Sequence, residues 1–449
     1  MLGQHFLKKL STFLCASLLL VSCSSNDGKT NSYPVANAGT DKIVTTGDTV
    51  TLDGSGSSDV DGDVLNYTWA LISKPSGSNA ELSSTSVVKP IFTADVRGDY
   101  VIYLWVNDGK VDSQRDIVVV TAQDRDITTF NFTVIDAEYS KQLDKIIMVS
   151  DYPSNQLHIY EPLTNQDLRV DLNLTPSSVS VSPNGLYAVV GHDGWLSYID
   201  LLNATLIETL PVTAVISDIV LAGNGYAYAF PKIDQWEYIR CIDLTTGNET
   251  LHSGNLIYAG TKAKLHPDGT SIYGADNGLS PSDIEKYDIS GGTASYLYDS
   301  PYHGNYDMCG DLWISEDGLY IFTRCGNVFN SSVNQYVSGS TTPEDMTYAG
   351  TLQNISMVRY LDHSSAIGKI AVIPDDSSNA SADTEIQIFN YDYLTINTSF
   401  SLPDFIINNN NFSAHGRFVF YNSGGTKFFV IVEADNSAGM NYDYGLIVY

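Results

Sequence analysis

From residue 33 onward the chain alternates apolar and polar positions in short runs, and each run stops at glycine, proline, asparagine or aspartate. Alternation with a period of two is the mark of half-buried β-strands rather than helices. The first group of runs covers 49–52, 65–69, 100–106 and 116–120, with turns at Asp53-Gly54-Ser55-Gly56, Asp61-Gly62 and Asn107-Asp108-Gly109. Short strands at this spacing predict a β-sandwich over 33–122.

Residues 126–449 repeat a single signal, a tight turn followed by an apolar strand. It is clearest at Pro183-Asn184-Gly185, Gly223-Asn224-Gly225, Pro267-Asp268-Gly269 and Glu316-Asp317-Gly318, weaker at Gly368 and Gly425, and degenerate at Asp144. Each copy is followed by a further strand, and the copies are spaced as the blades of a propeller are. Seven copies predict seven blades, hence an all-β chain: a sandwich followed by a seven-bladed β-propeller. Only one strand, 444–449, follows the last copy, so the last blade lacks its outer strand. The segment 127–132 can supply it and close the ring, which removes two exposed sheet edges.

The N-terminus reads differently. Lys8 and Lys9 precede an apolar run over 10–21, too short to span a bilayer with ease but suited to an export signal. The run ends Leu20-Val21-Ser22-Cys23, which resembles the lipobox of bacterial lipoproteins. The resemblance implies a signal peptide over 1–22, lipidation of Cys23, a membrane partner through that lipid, and a flexible tether over 23–32. Ser24, where an aspartate would argue for retention, implies the outer membrane within the cell envelope.

The sandwich also carries a resemblance. Asn37-Ala38-Gly39, the run from Leu52 through Asp63, Tyr67-Thr68-Trp69 and Val106-Asn107-Asp108-Gly109 are similar to a PKD (polycystic kidney disease) domain, an Ig-like fold in which Trp69 would fill the space between the sheets. Such modules imply spacing or adhesion rather than catalysis. The propeller resembles the seven-bladed YVTN-type (lactonase-like) group, most closely over 182–212, although the Tyr-Val-Thr-Asn string itself is absent.

Composition narrows the partners. The formal charge is −29, and loss of Lys8 and Lys9 with the signal makes the mature chain more acidic. That charge repels phosphate backbones and argues against nucleic acid. Only 17% of residues are charged and 29 are tyrosine, the composition of an exported β protein rather than a disordered acidic tail. In an oxidising compartment, Cys309 and Cys325 are expected to form a disulfide. They flank the strands 312–315 and 319–324, each eight residues from Asp317, and that register would set them face to face. Two free thiols are the alternative. Cys241, in an alternating run, reads as a packed core thiol.

Three places could carry chemistry. Asp59, Asp61 and Asp63 alternate on a glycine-containing turn and could converge on Ca²⁺, although Ala70 stands where an EF-hand needs its glutamate. Aspartates capping their own turn are the competing reading. The second place is the propeller face carrying the loops between second and third strands and the links between blades. It gathers Tyr152, His192, Asp193, Trp195, Trp236, Asp276, Tyr302, His303, Tyr306 and Asp307, aromatics beside acids that suit a glycan or protein ligand. The third is the channel, where residues from several blades could assemble a metal-dependent hydrolase or lyase. No zinc-ligand spacing, Gly-x-Ser-x-Gly elbow or nucleotide-binding glycine loop supports catalysis. The sequence therefore points to an exported, lipid-anchored binding or adhesion protein. The metal-dependent enzyme and a structural subunit of an envelope assembly stand as alternatives.

Overall fold

The computed structural model describes residues 30–449 except 124–125, 277–278, 280–281, 376–381, 409 and 441. Lipidation of Cys23, and the signal before it, lie outside the described residues. No helix among the described residues is long and apolar enough to cross a membrane.

The chain is all-β. The first unit is a sandwich. One sheet orders Lys42–Thr45, Asp116–Gln123, Gly98–Asn107 and Asn66–Ser73, and a small second sheet pairs Thr49–Thr51 with Ile91–Thr93. Alternation decides what is inside: Tyr100, Ile102, Leu104 and Val106 of one strand are fully buried. Trp69 fills the space between them and its indole N–H donates to the carbonyl of Val87 at 3.0 Å.

The second unit is a ring of seven four-stranded antiparallel blades among the described residues. From inside outward, blade 1 is Asp136–Ser140, Lys145–Ser150, Gln156–Glu161 and Gln166–Asp171. Blade 2 holds Ser178–Val181, Tyr187–Gly191 and Asp193–Asp200. The long strand Thr205–Leu221 ends blade 2 and begins blade 3, which continues through Tyr226–Pro231, Arg240–Asp243 and Glu249–Leu251. Blade 4 is Lys262–Leu265, Ser271–Ala275, Ile284–Asp288 and Ser295–Asp299, and blade 5 runs from Leu312–Ile314 to Tyr348–Thr351. Blade 6 runs from Val358–Ser364 to Thr395–Ser401. Blade 7 is Ala414–Tyr421, Phe428–Ala434 and Tyr444–Val448, completed by Thr128–Thr129 from the beginning of the unit. Leu446 pairs with Thr128 and Gly445 with Thr129, and the Phe130 N–H continues to the Tyr444 carbonyl at 2.9 Å. The ring is closed by its two chain ends, as the unpaired last strand requires.

Each interface between neighbouring blades has its own apolar cluster. Blades 1 and 2 meet around Ile147, Leu157, Val179 and Val190. Blades 7 and 1 meet around Phe429, Leu446, Phe130 and Met148, so the closing interface is packed like the others. The repeated turn is the link between first and second strands. Asp144, Gly185, Gly225, Gly269, Gly318, Gly368 and Gly425 all have positive φ, between 54° and 86°. That backbone conformation explains why glycine recurs at six of these places.

Candidate binding face

In a blade of this connectivity the turn between strands one and two lies at one end. The second-to-third loop and the link to the next blade lie at the other. The face of interest is the second end, and the channel runs between the two.

The channel is a structural network. Innermost strands are sheet edges whose outward N–H groups need acceptors. Side chains of the preceding blade supply them: Asp136 Oδ2 accepts from Val179 N–H at 2.8 Å and Glu138 Oε2 from Val181 N–H at 2.7 Å. Asp218 Oδ2 accepts from Ala263 N–H at 2.9 Å, and Asp362 Oδ2 from Tyr421 N–H at 2.7 Å. Lys264 reaches Glu138 at 3.6 Å. Burial pushes the Glu138 carboxyl up to about 7, against the pull of Lys264 and the Val181 N–H. A cavity of about 360 Å³, lined by Glu138, Ser180, Lys264 and His266, opens beside the Pro183 and Pro267 turns, away from the face of interest. The channel acids are thus committed to backbone amides and lysines.

On the face itself, consecutive blades each present a ring. Tyr152 of blade 1 is 53% exposed and its ring lies against Tyr442, centroids 5.8 Å apart. Trp195 of blade 2 is 41% exposed beside exposed Asp193. Trp236 of blade 3 is 54% exposed, set edge-on against Tyr258 at 5.6 Å in the short pair Trp236–Glu237 with Ile257–Tyr258.

Blade 4 adds acids. Its register places Asp276 opposite Asp283 through an N–H to carbonyl bond of 3.0 Å, and Glu285 opposite Asp299. Because side chains two apart share a face, all four carboxylates lie on one side of the blade. Asp283 Oδ1 accepts from its neighbour's amide, Ile284 N–H, at 2.7 Å and from the Ser300 hydroxyl, while Oδ2 lies 3.1 Å from His303 Nδ1. Glu285 accepts from the Tyr287 hydroxyl. Asp276 is buried, and burial together with Asp283 and Asp299 raises its carboxyl to about 6. Burial, then Asp276, Asp283 and Asp299, raises Glu285 to about 8, opposed by the Tyr287 bond. Ligand atoms of Asp283, Asp299 and His303 lie within 4.8 Å of one another, the one such group of three among the described residues.

Other expected residues sit elsewhere. His192 is buried, its Nδ1 3.0 Å from the Thr175 carbonyl and Nε2 2.9 Å from the Ser197 hydroxyl, and burial holds its imidazole below the usual range. It braces blade 2 from inside and is not part of the face. Tyr302 and Tyr306 are half-buried between blades 4 and 5, where they pack with Phe329 and Tyr348; Tyr306 stacks on Tyr348 at 4.2 Å. Asp307 is exposed, and its backbone carbonyl accepts from the Asn327 side chain at 2.8 Å. Cys309 and Cys325 are joined with Cα atoms 5.4 Å apart. The strands stop short of both: Leu312 pairs with Thr323, so the bridge ties the open end of the hairpin instead of joining cross-strand partners. Cys241 is a free buried thiol, raised to about 11 by burial.

In the sandwich, Asp59 Oδ1 caps its own turn, accepting from Asp61 N–H at 2.8 Å and Asp63 N–H at 3.2 Å, and its Oδ2 is buried without a partner. Asp61 accepts from Ser32 N–H at 2.7 Å, and Asp63 pairs with Lys110 at 2.7 Å. A lysine ammonium therefore stands among these acids. Glu285 and Asp299 were not singled out by the sequence reading. The signal available for Glu285 was its two-residue spacing from Asp283 at the start of an apolar strand.

Comparison with known proteins agrees with this architecture. Residues 38–122 match the family described as "K319L-like, PKD domain". No curated protein matches the chain. Among solved structures, the β-propeller domain of Myceliophteria thermophila Cps50 (Swd1) is similar with a TM-score of 0.52 and 10% identity, covering 72% of this chain and 99% of that one. Kuenenia stuttgartiensis hydrazine synthase is similar with a TM-score of 0.48 and 13% identity, covering 72% and 97%. At 10% identity the likeness to the Cps50 domain concerns fold alone. The chain is a β-propeller protein with a PKD-like domain before it.

Proposed function

We propose that this is an exported binding protein, tethered to the outer membrane through lipid on Cys23, whose propeller receives a saccharide on the face bearing Tyr152, Trp195 and Trp236. The PKD-like sandwich holds that face away from the lipid surface. The observation that carries the reading is the exposure of one aromatic ring on each of three consecutive blades at the same end of the ring, with Asp193 beside them. Rings stack on the apolar faces of sugars while acids take their hydroxyls, and rigid blades hold both in place. We also assign the propeller to the YVTN-type (lactonase-like) group, on its Ser182-Pro183-Asn184-Gly185 turn.

A glycan array probed with the chain lacking its anchor tests the binding role. Saccharide binding that weakens by more than about fivefold in both Trp195→Ala and Trp236→Ala supports it, the loss usual for a central aromatic contact. Absence of saccharide binding, or binding indifferent to both changes, overturns it. For the anchor, Cys23→Ala should move the protein from the membrane to the soluble fraction.

A further inference from the structure

We propose that the rim of blade 4 binds one divalent cation of the Mn²⁺ or Zn²⁺ kind, with Asp283, Asp299 and His303 as protein ligands and Asp276 behind them. The inference does not rest on the saccharide reading.

The geometry begins with the strand register. Asp276 faces Asp283 across one pair of strands and Glu285 faces Asp299 across the next, which puts carboxyl groups directly opposite each other twice on one face. When both members are ionised such pairs are unfavourable in a sheet. Among the described residues no lysine or arginine forms an ion pair with any of the four, and the single basic contact is His303 on Asp283. Elsewhere in this acidic chain exposed carboxylates of the same kind do find cations, as Asp53 does with Lys89 and Asp63 with Lys110.

A second, independent observation is Asp276. It is only 5% exposed, it lies on the same face opposite Asp283, and among the described residues no hydrogen bond reaches its carboxylate. A carboxylate held there without a donor carries a desolvation cost that a bound cation would offset.

The donor set selects the ion. Two carboxylates and an imidazole suit a borderline transition ion better than Ca²⁺, which takes six to eight oxygens. Three protein ligands on an exposed rim also leave positions for water or an incoming ligand. Binding the ion forms bonds to carboxylate oxygen and imidazole nitrogen and releases whatever proton His303 carries.

The test is calorimetric titration of the chelator-treated full chain with MnCl₂, ZnCl₂ and CaCl₂. One Mn²⁺ or Zn²⁺ per chain is expected. Its affinity should fall more than about tenfold in Asp299→Asn and in His303→Ala, since even outer-shell changes reach that size. Both side chains are exposed, so melting temperatures without metal should match the unchanged chain. Absence of binding at millimolar metal overturns the proposal, as does binding that neither variant weakens. A site abolished by Asp59→Asn with Asp63→Asn instead would place the ion on the sandwich and likewise overturn it. Calcium binding indifferent to His303→Ala would remove the imidazole from the ligand set and with it the ion class proposed.

Discussion

Asp218, on the inner strand of blade 3, accepts a hydrogen bond at 2.9 Å from the backbone N–H of Ala263 on the inner strand of blade 4. The same step from blade to blade recurs at Asp136 to Val179, Ser180 to Leu221 and Asp362 to Tyr421. Inner strands have no β-partner on the channel side, so these side chains do for the ring what ladder bonds do within a blade. Asp218→Ala leaves the buried Ala263 N–H unpaired and takes a carboxylate from beside Lys262, whose ammonium it favours. A loss of about 1–3 kcal/mol is expected in denaturant titration of the propeller transition. Asp218→Asn keeps an oxygen acceptor and should lose less; equal losses would assign the effect to charge rather than to the amide bond.

A different device anchors blade 5. Lys286 is 2% exposed and its ammonium lies 2.8 Å from buried Asp345, which also accepts from the hydroxyls of Tyr273 and Tyr298 and from Ser332 N–H. The pair pins the segment after Asn327–Asn330 across the side of blade 4. Lys286→Met keeps the stem and removes the charge, leaving Asp345 buried without its cation. Breaking one side of a buried pair costs about 3–5 kcal/mol. A melting temperature within a degree or two of the unchanged protein would show that the tyrosine hydroxyls alone satisfy Asp345.

What could be read from the sequence divides along physical lines. The turns around Asp144, Gly185 and Gly318 were legible because positive φ restricts residue choice locally, and the restriction repeats once per blade. The sandwich was legible for a similar reason, since Gly98–Asn107 and Asp116–Gln123 alternate strictly between buried and less buried positions. His192 was misplaced because nothing in its own neighbourhood announces the Thr175 carbonyl and Ser197 hydroxyl that bury it. Tyr302 and Tyr306 stood in a link that looked exposed, yet the link folds back between two blades onto Phe329. The Cys309–Cys325 bridge was legible as a pair, but its register was not, because the strands are shorter than the apolar run. The blade 4 acids fall between these cases: Asp276 and Asp283 could be seen one at a time, but their convergence with Asp299 depends on two registers together.

Glu138 gives a pH dependence with a definite sign. Burial raises its carboxyl from 4.5 to about 7 in the folded chain, so the folded state holds this proton more tightly than the unfolded one. A raised acid contributes stability that is fully present below the unfolded value and is lost as pH rises through the folded value. Glu138→Gln removes that titration while retaining an acceptor for Val181 N–H. The melting temperature of Glu138→Gln relative to the unchanged protein should therefore climb between pH 4.5 and about 7 and level off above. A difference that is flat with pH, or that falls, contradicts the burial argument.

The turn glycines supply the last test, because two of them share a backbone conformation and differ in surroundings. Gly269 has φ of 71° with nothing within 4 Å of where a Cβ would stand. Gly318 has φ of 73°, but a Cβ there would come within 2.9 Å of His266 Nε2, the atom that contacts the Gly318 carbonyl at 3.0 Å. Gly269→Ala should therefore show the left-handed strain alone, about 1–2 kcal/mol. Gly318→Ala should add to that strain the displacement of a buried imidazole and loss of its bond to the neighbouring blade, a further 1–3 kcal/mol or so. Side-by-side denaturation of the two variants separates the contributions. Equal losses would mean that backbone strain explains the repeated glycine by itself, and that the contact between blades 4 and 5 at this end adds nothing to the stability of the ring.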